Sequence, residues 1–149
     1  MTTKDKEDAI QDLINGKAFK HTSFDIWRDD KEVVLAAIKA DRNPVLYYAS
    51  ERLKEDKEFV LKAIENKSDS YLAIPKKFAS DIEVALKYIQ ASGGSTNFLT
   101  AEIKAMCGDN DPKQYLQALL YKLKIEASIK KNRKDDESKK NKSRIKIKI

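Results

Sequence analysis

Cysteine, histidine, glycine and proline are all scarce in this chain, and each shortage excludes a class of structure. The lone cysteine, Cys107, leaves no intramolecular disulfide, and with the lone histidine, His21, it cannot supply a zinc site of ordinary spacing. Four glycines and three prolines are too few for the many turns of a β-sandwich or barrel. Abundant Ala, Leu, Lys, Glu and Ile favour helix. We therefore expect an all-α fold that holds no metal and no cofactor.

Signals for secretion and membrane insertion are also missing. The N-terminal residues lack the apolar run of a signal peptide, and no stretch approaches 18 continuous apolar residues. These absences predict a cytoplasmic protein, in the host cytoplasm if the chain comes from a phage or pathogen. We expect no membrane partner, although the Ile–Lys alternation over 144–149 would suit an anionic surface or an added β-strand.

The net charge of +6 is unevenly distributed along the chain. Residues 122–149 contain 12 basic and 4 acidic residues, whereas residues 1–121 contain 18 basic and 20 acidic ones. The basic character therefore belongs to the C-terminal segment. Because the apolar pattern stops at Lys131, we predict a helical-repeat domain over 1–130 and a flexible, disordered basic tail over 131–149.

A tandem repeat organises the rest of the chain. Its two clearest copies read D-K-E-V-V-L-A-A-I and D-K-E-F-V-L-K-A-I. The copies, two of them weaker and the last degenerate, begin at Asp5, Asp30, Asp56, Asp81 and Asp111. A period of about 25 residues predicts short helix-turn-helix units that stack on one another. The stack could be a small solenoid or a compact bundle.

Each part of the D-K-E signature has a helix-building interpretation. The aspartate suits the N-cap, the glutamate meets the positive end of the helix dipole, and the lysine is expected to be exposed. Counted from each aspartate, the +4, +5 and +8 positions are apolar in the first four copies and predict one buried stripe. Those positions are Ala9, Ile10, Leu13, Val34, Leu35, Ile38, Val60, Leu61, Ile64, Ala85, Leu86 and Ile89.

The second half of each copy is a shorter apolar segment. Pro44 suits the first turn of a second helix. Trp27, Leu53 and Phe78, each three residues before the next aspartate, are predicted to anchor the turns in the core. After the fourth copy the period lengthens, with a loop at Gly93-Gly94, and the fifth helix is expected to run to about Lys130.

The repeat resembles a domain-of-unknown-function family of short tandem helical repeats. The resemblance is carried by residues 30–38, Tyr48-Ala49-Ser50-Glu51, Leu53 and residues 56–64. In the first copy, Asp8 and Asp12 replace apolar residues, which predicts an amphipathic cap. The resemblance implies a helical-repeat fold and an interaction role, and it brings no activity and no site residues.

The chain offers no set of residues that matches a catalytic or binding motif. His21 has Ser23 and Asp25 nearby in sequence, but adjacency does not make a triad. The Gly93-Gly94 stretch lacks the lysine and helix of a phosphate loop, and Asp109-Asn110-Asp111 lacks the downstream glutamate of a calcium loop. We therefore expect no enzymatic activity.

Two functions remain open. The first is a protein–protein interaction module with an unidentified protein partner, as an inhibitor or effector that occludes its target; Tyr47 and Tyr48 are candidate contacts. The alternative is nucleic-acid binding, in which basic residues of the C-terminal segment neutralise phosphates. The candidate basic residues are Lys130, Lys131, Arg133, Lys134, Lys139, Lys140, Lys142, Arg144, Lys146 and Lys148.

Overall fold

A computed structural model describes the backbone of residues 3–40 and 44–146, and the side chains of residues 5–21, 23–40 and 44–134. The α-helices are α1 (Thr3–Ile14), α2 (Lys31–Ala40), α3 (Glu51–Glu55), α4 (Lys57–Asn66), α5 (Lys76–Ala79), α6 (Ile82–Ala91), α7 (Ala101–Cys107) and α8 (Pro112–Lys146). Three 3-10 helices are η1 (Thr22–Trp27), η2 (Val45–Tyr48) and η3 (Ser68–Ala73). These ranges contain no strand, and the all-α prediction is confirmed.

The five longer helices form a linear stack. Helix α1 packs on α2, α2 on α4, α4 on α6, and α6 on α8. The short helices and 3-10 segments connect them along one side. Because each long helix packs chiefly against the one before and the one after, the array is an open stack, as expected for tandem repeats.

Each inner long helix buries two rows of side chains. In α4, Phe59 and Ala63 (+3 and +7) join the core formed with α1 and α2. Val60 and Ile64 (+4 and +8) join the core formed with α6 and α8. The +3 and +7 row therefore faces the preceding copy, and the +4 and +8 row faces the following one. Burial of +4 and +8 was predicted correctly, whereas the +5 residue of α4, Leu61, is only partly buried.

Helix α1 closes the N-terminal end of the stack. Its Ala9 and Leu13 are buried against α2, whereas Asp8 and Asp12, at the positions that face a preceding copy, are exposed. The predicted amphipathic cap is confirmed. The predicted N-cap role of Asp5 is wrong, because α1 already begins at Thr3 and Asp5 lies in its first turn.

The short helices keep the repeat period beyond the predicted loop. The N-cap positions of α3, α5 and α7 are Ser50, Pro75 and Thr100, spaced by 25 residues, and the side chains of Ser50 and Thr100 make capping hydrogen bonds. The Gly93-Gly94 loop thus replaces a 3-10 helix without adding length. The period lengthens after that point, through the longer α7 and a turn at Gly108, whose φ of 55° is a conformation that favours glycine.

Helix α8 extends past its predicted end near Lys130 and reaches Lys146. Neither glycine nor proline follows Pro112, and lysine, glutamate and alanine sustain helix, so nothing in the sequence stops it. The backbone of residues 131–146 is therefore helical where a disordered tail was expected. The Ile–Lys alternation over 144–149, considered as a β-strand or a segment on an anionic surface, begins inside this helix, and residues 147–149 lie outside the described part.

Candidate protein-interaction surface

The aspartate of each inner copy joins two copies through its two carboxylate oxygens. One oxygen caps its own helix: Asp30 Oδ1 accepts from the Val33 N–H at 3.1 Å, and Asp56 Oδ1 from the Phe59 N–H at 3.2 Å. The other oxygen accepts from the D-K-E lysine of the preceding copy. The Nζ–Oδ2 distances are 2.9 Å for Lys6–Asp30, 2.5 Å for Lys31–Asp56 and 2.8 Å for Lys57–Asp81.

These contacts form a ladder of ion pairs along the stack. The Lys31 ammonium, and then the Phe59 N–H, hold the pKa of Asp56 below its usual value. Burial opposes ionisation of Asp30, but hydrogen bonds from Lys6 and the Val33 N–H outweigh it and lower its pKa as well. The lysine predicted to be merely exposed is therefore the joint between copies.

The ladder changes at the fourth copy, where Ile82 stands in the lysine position. Ile82 packs against the core formed with α8. Glu83 accepts from Lys57 at 3.0 Å and from Lys124 of α8 at 3.5 Å. The last joint is thus made by an apolar contact and a lysine supplied from α8.

The residues considered for catalysis have structural roles. His21 caps η1 by accepting from the Ser23 N–H at 3.3 Å, and its Nδ1 lies 3.1 Å from Ser23 Oγ. Asp25 pairs with Arg28 at 2.6 Å instead of orienting His21. Cys107 is buried, and burial, with the nearby Asp111 charge, raises the pKa of its thiol. Within the described ranges, no group of three or more His, Cys, Asp or Glu side chains is placed to hold a metal ion.

The two loops singled out in the sequence are also accounted for by local bonds. Asp111 Oδ1 accepts from the Gln114 N–H at 2.8 Å and so caps α8. The Asn110 side chain donates to the Cys107 carbonyl at 2.9 Å. In the Gly93-Gly94 loop, Tyr88 donates its hydroxyl proton to Ser95 Oγ at 3.2 Å.

The two candidate tyrosines differ in exposure. Tyr48 is partly buried against the first core, so it contributes to packing. Tyr47 is 58% exposed, and its hydroxyl donates to the Leu72 carbonyl of the next copy at 2.8 Å. Tyr47 therefore presents its ring on the surface while its hydroxyl joins η2 to η3.

The basic candidates lie on α8. Lys130, Lys131, Arg133 and Lys134 are exposed. Five more candidates are in the helical backbone, but their side chains are outside the described set: Lys139, Lys140, Lys142, Arg144 and Lys146. Lys148 lies outside the described residues altogether.

An apolar row on α8, which the sequence interpretation did not separate from the core row, is exposed. We call Ala118, Tyr121, Ile125 and Ile129 the outer stripe; their spacing of three, four and four residues places them on one helix face. Tyr121 is 69% exposed, Ile125 42% and Ile129 46%. The signal in the sequence was a second apolar periodicity beside the row that faces the core. Tyr115, Leu116, Leu119 and Leu120 are the buried or partly buried residues of that core-facing row.

A second surface lies at the opposite end of the stack, between α1 and η1. This end groove has a volume of about 320 Å³ and combines acidic and apolar side chains. Ile26 within it is 63% exposed. The groove is lined by Asp5, Asp8, Ala9, Asp12, Ser23, Phe24, Ile26 and Trp27.

The open stack of copies, joined by a ladder of ion pairs, defines a short helical-repeat protein. A family described as a domain of unknown function (DUF4116) matches the chain three times in tandem, over residues 9–54, 30–79 and 56–104. The chain belongs to this family. No curated protein and no solved structure matches the chain significantly. No described helix combines the length and apolar character needed to cross a membrane.

Proposed function

We propose that this chain is a non-enzymatic protein-binding module that contacts its partner through the outer stripe of α8. The observation that supports this most is the exposure of Tyr121, Ile125 and Ile129 along one face of α8, beyond the first turns that pack on the core. Contiguous exposed apolar side chains mark interaction surfaces, and helix faces of this kind dock into grooves of partner proteins.

The repeat array supports the same proposal. A stack of short helices builds a platform that holds the first turns of α8, from which the stripe projects as a continuation of the same helix. In a phage or pathogen setting, a small module of this kind would act as an inhibitor or effector by covering the surface of its target.

A capture experiment tests the proposal. Immobilised wild-type chain, the Ile125→Ser/Ile129→Ser variant and a control variant, Leu72→Ser/Met106→Ser, are incubated with nuclease-treated lysate of the source cell or its host. Leu72 and Met106 are exposed apolar residues outside α8, 42% and 37% accessible. We expect a stoichiometric protein that is lost with the stripe variant and kept with the control. Equal capture by all three, or none from the wild type, would contradict the proposal.

Nucleic-acid binding is the alternative, favoured by the exposed Lys130, Lys131, Arg133 and Lys134. Such binding would be insensitive to Ile125→Ser/Ile129→Ser, and it would weaken steeply with salt because it releases counterions. No aromatic residue follows Tyr121, so base stacking is not available beyond that point. Titration of labelled duplex and single-stranded DNA with the same variants distinguishes the two functions.

A further inference from the structure

The two ends of the stack carry complementary surfaces. The outer stripe of α8 is apolar and lies in a basic part of the helix, with Glu126 as the single acidic residue between Tyr121 and Lys134. The end groove has Ile26 as its exposed apolar residue, with the buried Phe24 and Trp27 beneath it, and it is acidic at its α1 side. At 3.6 residues per turn, Lys122 and Arg133 are the basic residues beside the stripe, and Lys130 and Lys134 fall on the opposite side of the helix.

We propose that the outer stripe of one molecule docks in the end groove of a second copy of this chain, so that molecules associate head to tail. The inference rests on the proposed function, which makes the outer stripe a protein-binding surface, and it names one partner for that surface.

The positions of the repeat that face a preceding copy support α8 of a second molecule as the helix that docks in the end groove. In α4 the +3 and +7 row packs against the preceding helix, through Phe59 and Ala63. In α1 the same row consists of Asp8 and Asp12 and faces outward. A helix that packs there meets carboxylates, so it must bring cations beside its apolar residues. Helix α8 brings both.

Charge also disfavours the other self-complementary arrangement, in which two α8 helices pair through their outer stripes. That pairing would bring the flanking basic side chains of both helices together, and like charges beside an apolar seam oppose association. In the head-to-tail contact the basic side chains meet Asp8 and Asp12. The Lys17 ammonium lies 3.0 Å from Asp12 and reduces the negative charge there.

A contact between two different surfaces does not close on itself unless the geometry forms a ring, so it extends into longer assemblies as concentration rises. The lysine–carboxylate part of the contact is near the surface. It should weaken with ionic strength, since the screening length falls from about 10 Å at 0.1 M salt to about 3 Å at 1 M. The apolar part should persist.

The proposal is tested by measuring the molecular mass of two variants, each with one of the two surfaces disrupted, and of their mixture. The groove variant is Asp8→Lys/Asp12→Lys, and the stripe variant is Ile125→Ser/Ile129→Ser. Sedimentation velocity over a range of concentrations is expected to show growing mass for wild type and a monomer for each variant alone, with association at least about tenfold weaker. Mixed together, the two variants should form a one-to-one dimer that does not grow, because each retains one intact surface.

A charge-matched variant outside the groove serves as the control for this experiment. Asp69→Lys/Asp109→Lys makes the same charge change at exposed positions outside the groove, and it should assemble like wild type. Circular dichroism establishes that each variant is folded. A wild type that is monomeric at every concentration, or a groove variant that still dimerises, would overturn the proposal. If the stripe variant also loses a captured partner protein while wild type stays monomeric, the proposed function stands and only self-association fails.

Discussion

The aspartate that opens each inner copy does two jobs with two oxygens. For Asp56, Oδ1 satisfies a backbone N–H at the start of α4, and Oδ2 binds the ammonium of Lys31 from the copy before. An N-cap is a local interaction, and the lysine contact spans a full repeat. One residue therefore fixes both where a helix begins and how two helices are joined.

Substitution of Asp56 separates the two jobs. Asp56→Asn keeps a capping oxygen and loses the charge that Lys31 binds, so we expect a loss of at most about 0.5 kcal/mol, in line with a partly exposed ion pair. Asp56→Ala also loses the cap and should cost about 1 kcal/mol more. Urea denaturation at neutral pH measures both. Equal losses for Asn and Ala would show that the cap contributes nothing.

Ser70 is the one buried polar residue of η3, and its hydroxyl has no hydrogen-bond partner. It occupies the position that Val45 fills one repeat earlier. Because a buried hydroxyl without a partner is destabilising, Ser70→Ala should raise the free energy of unfolding by about 1 kcal/mol. Thermal and urea denaturation check this, with Ser128→Ala on the exposed face of α8 as the control. A destabilised Ser70→Ala variant would contradict the expectation.

For single residues, the sequence predicted the local interactions, which form between residues close together in the chain. The caps at Asp30, Asp56 and Asp81 follow from residue type and position, and all three are present. The lysine ladder depends on how one copy sits on the next. Sequence alone gives Lys31 no partner, so its contact with Asp56 could not be predicted.

Among the elements, α4 shows how a short helix is stabilised from both sides. It is ten residues long, too short to be stable alone, and it buries one row of side chains toward α2 and another toward α6. Its helical period and the burial of its +4 and +8 residues could be predicted from the sequence. The +3 and +7 row was missed because the first copy carries Asp8 and Asp12 there, which hid the pattern common to the inner copies.

The joints between helices predict a loss of stability in acid. The pKa of Asp56 is lowered in the folded chain from an ordinary value of 3.8, chiefly by Lys31. The unfolded chain therefore takes up a proton at a higher pH than the folded one. The stabilisation is present above the ordinary value of 3.8 and is lost as the pH falls through the folded pKa.

Urea denaturation at a series of pH values tests this linkage. Wild type should lose stability from about pH 4 downward, and Asp56→Asn should lose less over the same range because one of the contributing carboxyls is absent. A variant with the same acid dependence as wild type would show that Asp56 titrates alike in the folded and unfolded chains.

For the whole molecule, stability resides in the stack and not in the distal part of α8. The described side chains from Tyr121 to Lys134 are exposed, so this part of the helix gains little from packing. Deleting residues 131–149 should therefore shift the thermal midpoint very little. The outer stripe remains in the shortened chain, so capture of a partner protein should also persist.

The same deletion tests the alternative function. If the chain binds nucleic acid through its basic segment, removal of residues 131–149 must weaken that binding strongly, since most of the basic residues beyond Lys122 are lost. Unchanged binding to duplex and single-stranded nucleic acid would exclude the segment as the site.

The sequence predicts the fold of this chain better than it predicts the candidate interaction surface. The copies that begin at Asp30 and Asp56 were enough to predict a helical stack, because a short unit that cannot bury its own face must pack on its neighbours. The candidate surface was harder to predict. Ile125 and Ile129 look like core residues in the sequence, and only the structure shows that α8 extends past the core beyond Leu120, where its described side chains are exposed.

Site-specific photo-crosslinking from α8 tests the central claim, that the outer stripe is a protein-binding surface, most directly. A photoreactive amino acid is placed at Ile125 in one variant and in another at Ala127, which is exposed on the same helix but off the stripe. Illumination in nuclease-treated lysate should give a discrete protein adduct from position 125 and little from position 127. Equal adducts from both positions, or none from position 125, would contradict the claim.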